Sequence, residues 1–211
     1  MARYTGPVCR LCRKVGDKLM LKGDRCSGPK CGIERHSATP GQAVGRGGRR
    51  RKVSERGLQL KEKQKARHTY GVLERQFRKN FATATARPGM TGENLLQILE
   101  MRLDNVVYRL GLADSRPQSR QLVNHGHITL NGRVTSAASC AVKVGDIVAV
   151  KEGARKNGYF DGLEKELKRR DMPGWLVLDI EKRSGRVLSV PSRSEMDAKL
   201  NEQAIVEFYS R

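Results

Sequence analysis

Residues 91–150 constrain this chain more tightly than any other stretch, because nearly every element in it carries its own start or stop signal. Leu95, Leu99, Leu103, Val106 and Leu110 keep helical spacing after a Thr91 cap, and Gly111 ends the run, which predicts one long helix. A second, shorter helix follows. Ser115 and Gln118 form a capping-box pair at its entrance, Leu122 and Val123 supply its apolar side, and Gly126 stands where a left-handed residue closes a helix. Ile128 and Leu130 alternate with polar residues, Asn131-Gly132 is a strong two-residue hairpin signal, and Val134 resumes the alternation. Val142 to Val150, turning at Gly145-Asp146, then closes a small sheet. Arg116 and Arg120 are expected to project near the positive end of the second helix, beside the hairpin, where a phosphate backbone would lie.

Four of the five cysteines sit near the N-terminus in two close pairs. Cys9 and Cys12 are separated by two residues, Cys26 and Cys31 by four, and thirteen residues lie between the pairs. Tight spacing within a pair lets adjacent thiolates turn to one ion, and Gly23, Gly28, Pro29 and Gly32 supply bends. The expectation is a structural four-thiolate site holding one zinc ion, with an iron–sulfur cluster as the alternative. Disulfides or free thiols are the competing reading, and His36 is a weaker substitute ligand. Arg10, Arg13, Lys14, Arg25 and Lys30 surround the cluster and are expected to depress the thiol pKa values. Cys140 stands apart and reads as a buried structural thiol.

Charge divides the chain unevenly. Residues 1–90 hold 23 Lys/Arg against 6 Asp/Glu, whereas residues 91–211 hold 19 against 16. The first part is therefore expected to bind a polyanion. No stretch approaches the roughly 18 apolar residues of a membrane span, and the first residues lack a signal-peptide core, so cytoplasmic residence is the expectation. After Pro40-Gly41-Gln42, Arg46, Arg49, Arg50, Arg51 and Lys52 lie among three glycines, a composition expected to order along phosphates. Ser54 caps a helix carrying Leu58, Leu60, Lys61, Lys63, Lys65 and Arg67. A further helix, near Tyr70 to Ala86, places Val72, Leu73, Phe77 and Phe81 at core spacing with Arg75, Arg78 and Lys79 outward. Leu163 and Leu167 suggest a short helix. Trp175 to Ile180 and Arg186 to Val190 read as strands around a Ser184-Gly185 turn, with Trp175 as a core anchor. The final run places Leu200, Ala204, Ile205 and Phe208 on one helical face, although "AIVEFY" also fits a strand.

The runs "RLDNVVYRLG", "SRQLVNHGHITLNG" and "VGD", in that order, resemble the small RNA-binding module named after the fourth protein of the small ribosomal subunit. That module also occurs in RNA-modifying enzymes and a transfer-RNA synthetase, so it does not choose a function alone. Outside it, "LQLKEKQKAR" with "YGVLERQF", the ending "NEQAIVEFYSR" and the opening "RYTGPVCRLCR" are similar to the bacterial family of that fourth protein, in its cysteine-bearing variety. The resemblance implies an α+β chain with a metal-bound segment over 1–44 and a basic helical domain over 45–92, completed by about 192–211. A sheet-containing domain over 93–191 would include the RNA module at about 100–160. It further implies direct binding to small-subunit ribosomal RNA at a multi-helix junction, early participation in assembly, and a place near messenger entry with an influence on decoding accuracy. The implied partners are the fifth small-subunit protein and other ribosomal proteins, in a ribosome-associated cytoplasmic setting.

Three departures from the family pattern stand out. Pro117 and Ser119 replace a common arginine and alanine, Cys140 replaces a usual tyrosine, and Ala43-Val44 replaces a customary His-Gly.

The residues expected to meet RNA are Arg3, Arg10 and Arg13, the five linker cations, Lys61, Lys63, Lys65, Arg67, Arg75, Arg78 and Lys79, and in the module Arg116, Arg120, His125, His127 and Arg133. The rival from another class is an RNA-modifying enzyme that docks through the same module. It would need a catalytic domain, and only about fifty residues remain for one, with no evident nucleophile or acid–base pair. His68, His125 and His127 are better read as hydrogen-bonding to RNA or backbone than as general bases. A zinc-containing DNA-binding regulator is weaker still, since no helix is offered as a major-groove reader. The sequence therefore favours a structural RNA-binding protein with no small-molecule substrate and no membrane association.

Overall fold

The computed structural model describes residues 3–36, 39–41, 53–155, 157–163, 167, 172–196 and 199–210. The chain divides into two compact units, one spanning Leu95–Ala198 and the other Ala2–Asn94 with Lys199–Arg211. The described residues form a mixed fold, with helices and one small antiparallel sheet.

In the unit formed by both chain ends, α1 (Val8–Val15), α2 (Asp24–Ser27) and α3 (Gly32–Arg35) carry the cysteines. The longer helices are α4 (Glu55–Thr69) and α5 (Glu74–Thr85). Ser54 caps α4, its Oγ accepting from the Gly57 amide at 3.2 Å. The second helix starts later than its apolar spacing predicts: Tyr70 ends α4 and Gly71 takes φ +62°, a left-handed turn that reverses the chain before Glu74. The last helix of the chain spans Glu202–Tyr209, so the helical reading of the final run holds. It packs on α4, where Gln59 Nε2 donates to Glu207 Oε2 at 2.9 Å and the Lys63 ammonium lies 4.9 Å from the Phe208 ring centroid.

This packing inverts the face of α4 that hydropathy predicts. Leu58 and Leu60 are exposed, whereas Gln59, Lys63, Lys65 and Ala66 are buried. The aliphatic stems of the lysines do the apolar packing while their ammonium groups meet carboxylates, Lys63 on Glu74 at 2.8 Å and Lys65 on Asp17 at 3.0 Å. In α5, Phe77 is fully buried and Phe81 half-buried, but Leu73 stands outside the core.

The long helix predicted from Thr91 is two helices, α6 (Thr91–Glu100), which belongs to the other unit from Leu95 onward, and α7 (Leu103–Arg109). Met101 still donates its amide to the Gln97 carbonyl at 2.9 Å, and Arg102 is then extended. The Met101 carbonyl accepts from the Val142 amide at 2.8 Å, and the Leu103 amide donates to Cys140 O at 2.9 Å. A strand-like contact with residues 140–142 thus outcompetes helix continuation, while the apolar period runs unbroken through the break. Next comes α8 (Arg116–Asn124), whose first turn accommodates Pro117 because no amide is needed there. The capping box expected at its entrance does not form, since Gln118 Oε1 accepts instead from the Asp114 amide at 2.9 Å. Gly126 does take the left-handed conformation, at φ +74°.

The sheet comprises β1 (Ile128–Leu130), β2 (Arg133–Val134), β3 (Ile147–Val150), β4 (Leu176–Asp179) and β5 (Ser184–Val187), in the order β2-β1-β3-β5-β4 with all neighbours antiparallel. Asn131 and Gly132 both have positive φ, as a two-residue hairpin requires. Ser184-Gly185 lies inside β5 rather than at the turn. The reversal falls earlier, over residues 180–183, and the lack of a side chain at Gly185 serves packing: a Cβ there would come within 2.2 Å of Leu110 Cδ2. Short helices α9 (Glu152–Arg155) and α10 (Gly158–Asp161) precede β4, and the Glu202–Tyr209 helix is α11. Leu163 and Leu167 are buried, but most of the short helix expected around them lies outside the described residues. The core gathers Leu103, Val106, Leu110, Val123, Ile128, Val148, Phe160 and Trp175, the last only 1% exposed. Cys140, expected to be buried, is half-buried at the edge of this core.

Candidate nucleic-acid interface and cysteine site

The cysteine segment begins with α1, which places Cys9 and Cys12 one turn apart, while Cys26 ends up in α2 and Cys31 immediately precedes α3. Together with Lys22, Arg25, Gly32 and Ile33, the four sulfur-bearing side chains line one small cavity. Gly32 is required by this approach, since a Cβ there would lie 2.9 Å from Cys9 Cβ. The Lys22 amide points at Cys26 Sγ from 3.3 Å, and the Leu19 backbone hydrogen-bonds to Cys12. Such amide donors suit thiolates. As placed, the thiols are not drawn into a closed ligand set, and among the described residues no three Cys, His, Asp or Glu side chains are grouped as a metal site.

The local electrostatics differ from the sequence expectation. Arg10, Lys14, Arg25 and Lys30 are exposed, although Arg25 also lines the cavity. Burial therefore pushes the Cys12 thiol above its ordinary range; the Leu19 amide opposes this, and the neighbouring Cys26, Cys9 and Cys31 add to it. Metal binding here would have to displace a proton from Cys12.

The cations of the end-built unit fall into two groups. Arg3, Arg10, Lys61, Arg75, Arg78 and Lys79 are exposed, and Arg13 and Arg67 half-buried. On α5 the spacing of Arg75, Arg78 and Lys79 places them on one face, because residues three and four apart are neighbours on a helix. Lys63 and Lys65 were expected outward and are instead buried in ion pairs, with side chains 6% and 9% exposed. Glu74 is the hub, meeting Lys63 at 2.8 Å, Arg67 at 3.3 Å, Arg78 at 3.4 Å and the Tyr209 hydroxyl at 2.8 Å. Burial alone would raise the Glu74 carboxyl, but hydrogen bonds from Lys63 and Tyr209 and the charges of Lys63 and Arg67 outweigh it and hold the group below the ordinary carboxylate range. Burial, followed by the surrounding charges of Arg67, Lys14 and Lys63, lowers His68 to about 4, so it is neutral at physiological pH. Arg46, Arg49, Arg50, Arg51 and Lys52 lie outside the described residues.

In the sheet-bearing unit, the arginine-loaded helix start expected at α8 turns inward. Arg120 is buried and meets Asp104 Oδ2 at 3.0 Å, and Arg102 meets the same oxygen at 2.8 Å. Arg116 Nε donates to Asn105 Oδ1 at 2.7 Å, and its guanidinium lies 4.7 Å from the Tyr108 ring centroid. Fully buried Glu100 takes Arg109 at 2.6 Å and hydrogen-bonds to Asn105. Ser119, one of the family departures, donates from Oγ to the Asp104 carbonyl and bolts α8 to α7. Two carboxylates within the α6–α7 stretch thus neutralise cations that the sequence reading assigned to phosphate, because composition does not reveal which charges fold toward one another. Of the residues expected to meet RNA on this unit, His125 and Arg133 are exposed and His127 is half-buried. Asn131 fixes the hairpin, its Oδ1 accepting from the Ile147 amide and its Nδ2 donating to Asp146 Oδ1, both at 2.9 Å.

Among the described residues no helix is long and apolar enough to cross a membrane.

Residues 3–100 match the family described as Ribosomal protein S4/S9 N-terminal domain, and residues 101–148 match the S4 domain. Over the whole of this chain and of each relative, the sequence is 57% identical to small ribosomal subunit protein uS4 of Herpetosiphon aurantiacus. The corresponding proteins of Pelotomaculum thermopropionicum and Heliobacterium modesticaldum are 54% and 52% identical, also end to end.

Proposed function

The chain belongs to the uS4 family of small ribosomal subunit proteins, and from that premise we propose that it is a structural constituent of the small subunit, binds small-subunit ribosomal RNA directly, and is not an enzyme. The observation that carries this reading is the end-to-end extent of the similarity: it takes in the cysteine segment and the C-terminal helix, which the RNA-binding module alone does not contain. The electrostatics agree. Most of the excess positive charge precedes residue 91, and exposed cations such as Arg75 and Lys79 suit a polyanionic partner.

On this reading the linker cations Arg46, Arg49, Arg50, Arg51 and Lys52 track phosphates beside the helical unit, Arg133 meets RNA at the hairpin, and His125 and His127 meet it where β1 begins. The protein binds where several RNA helices meet, joins the subunit early, and contacts the fifth small-subunit protein near messenger entry, with an effect on decoding accuracy. It works in the cytoplasm as part of the ribosome. Cys9, Cys12, Cys26 and Cys31 would hold one zinc ion, or failing that an iron–sulfur cluster. The ion would supply a cross-link to a segment too small and too basic to fold unaided.

Equilibrium binding of labelled small-subunit ribosomal RNA, in competition with large-subunit RNA, tests the reading. Stoichiometric binding that resists the competitor is expected. Deleting residues 1–52 is expected to weaken binding and flatten its salt dependence, because each lost phosphate contact removes about 0.7–0.9 from the slope of log K against log salt. Equal preference for the two RNAs would refute the assignment.

A further inference from the structure

One face of the sheet departs from the pattern its topology sets. An antiparallel sheet that packs one face on a core normally turns polar residues to water on the other. Val148 and Val187 point into the core from β3 and β5, and the residues that alternate with them face outward. Ile147 of β3 pairs with Arg186 of β5, which pairs in turn with Val177 of β4, so these three side chains form one row across the sheet. Leu188 follows two residues after Arg186, and its amide donates to the Trp175 carbonyl at 2.9 Å. Ile147, Val177 and Leu188 are each 46–50% exposed, which leaves an aliphatic patch with one cation in its middle.

That cation is not offset within the chain. Arg186 is exposed, and no carboxylate among the described residues pairs with it. Two carboxylates adjoin the row and both are engaged elsewhere: Asp179 accepts from the Lys182 amide at 3.0 Å, and Asp146 accepts from the Lys143 amide at 2.7 Å and from Asn131 Nδ2 at 2.9 Å. RNA does not suit such a surface. A single cation flanked by aliphatic side chains makes no phosphate track, and no aromatic ring stands on the row for a base to stack on. A second copy of the chain does not suit it either, because a two-fold contact centred on this row would bring two Arg186 cations together. What matches is an apolar protein surface that carries a carboxylate for Arg186.

We propose that the sheet face formed by Ile147, Arg186, Val177 and Leu188 is a docking site for another protein of the small subunit, whose apolar side chains cover the aliphatic residues and whose aspartate or glutamate meets Arg186. The proposal rests on the ribosomal reading and adds a protein contact to a unit whose other assigned surface, at His125, His127 and Arg133, meets RNA. Covering the patch removes apolar area from water. The guanidinium supplies direction and selectivity, since its planar fork takes a carboxylate through two parallel donors.

The test places a photoreactive benzophenone side chain at Val177 of the full-length protein, irradiates living cells and isolates small subunits. A crosslink to one ribosomal protein is expected, at a segment with an aspartate or glutamate among apolar residues. Arg186→Glu should cut its yield roughly tenfold, as for a charge pair turned repulsive, and changing the partner's carboxylate to lysine in that background should restore it. Arg186→Gln should fall between. Neither variant should move the thermal midpoint of Trp175 fluorescence or the salt slope of RNA binding, which separates lost docking from unfolding and from lost phosphate contacts. Crosslinks confined to RNA or to a second copy of the chain would overturn the proposal, as would no crosslink above background or a protein crosslink that survives Arg186→Glu. Failure of the protein to sediment with small subunits at all would overturn the ribosomal reading, and this proposal with it.

Discussion

Asp104→Ala unfolds the sheet-bearing unit at a distinctly lower urea concentration, with an expected loss of about 3–5 kcal/mol, because it removes the carboxylate on which two buried guanidinium groups converge. Arg102 and Arg120 both converge on this carboxylate, at 2.8 and 3.0 Å, and all three side chains are less than a tenth exposed. Removing a surface carboxylate would cost far less, with exposed pairs typically contributing about 0.2–1 kcal/mol. Trp175 is the single tryptophan and lies in the core of this unit, so its fluorescence follows the relevant transition. Asp104→Asn, which keeps an acceptor but not the charge, should fall between. A loss below about 1 kcal/mol for the alanine protein would show that the buried network contributes little beyond its own desolvation.

The second large effect concerns the cysteines. One zinc per chain is expected in protein purified under reducing, oxygen-free conditions, and a chelator should then unfold residues 3–36 while Trp175 fluorescence stays unchanged. Structural zinc sites in small peptides contribute about 10–16 kcal/mol of apparent binding energy near neutral pH, far more than a segment of this size gains from a core of Cys12, Val15, Leu19 and Leu21. Cys26→Ser should have the same outcome without a chelator. Since burial raises the Cys12 thiol, metal affinity should increase with pH as that proton becomes easier to displace. Visible absorbance with iron and sulfide would identify a cluster instead, and the absence of any stoichiometric metal would contradict the four-thiolate reading.

Much of the fold is legible in local signals. Ser54, Gly126 and Asn131-Gly132 each act through their immediate neighbours, and each is found in the conformation its chemistry demands. Long-range pairing is where local signals fail. The apolar period of Leu95, Leu99, Leu103, Val106 and Leu110 passes through the break at Met101-Arg102, because that break is made by residues 140–142, forty positions away. Gly185 reads as a turn residue, yet its role is to let Leu110 approach.

Hydropathy misassigns α4 for a related reason. A lysine stem can replace a leucine on a buried face when a carboxylate such as Glu74 or Asp17 waits beyond it, and the sequence does not show where those carboxylates will be. The candidate interface divides along the same line. Exposed Arg75, Arg78, Lys79 and Arg133 stand where the sequence places them, whereas Arg120, Lys63 and Lys65 are drawn inward by partners.

The most direct measurement is to crosslink the protein to RNA in living cells and map every site of attachment. The account predicts that crosslinks concentrate in small-subunit ribosomal RNA, on helices that converge at one junction, with attachment from both the basic helical unit and the sheet-bearing unit. Crosslinks spread over large-subunit or transfer RNA, or recovered mainly at nucleotides whose modification depends on the protein, would contradict it.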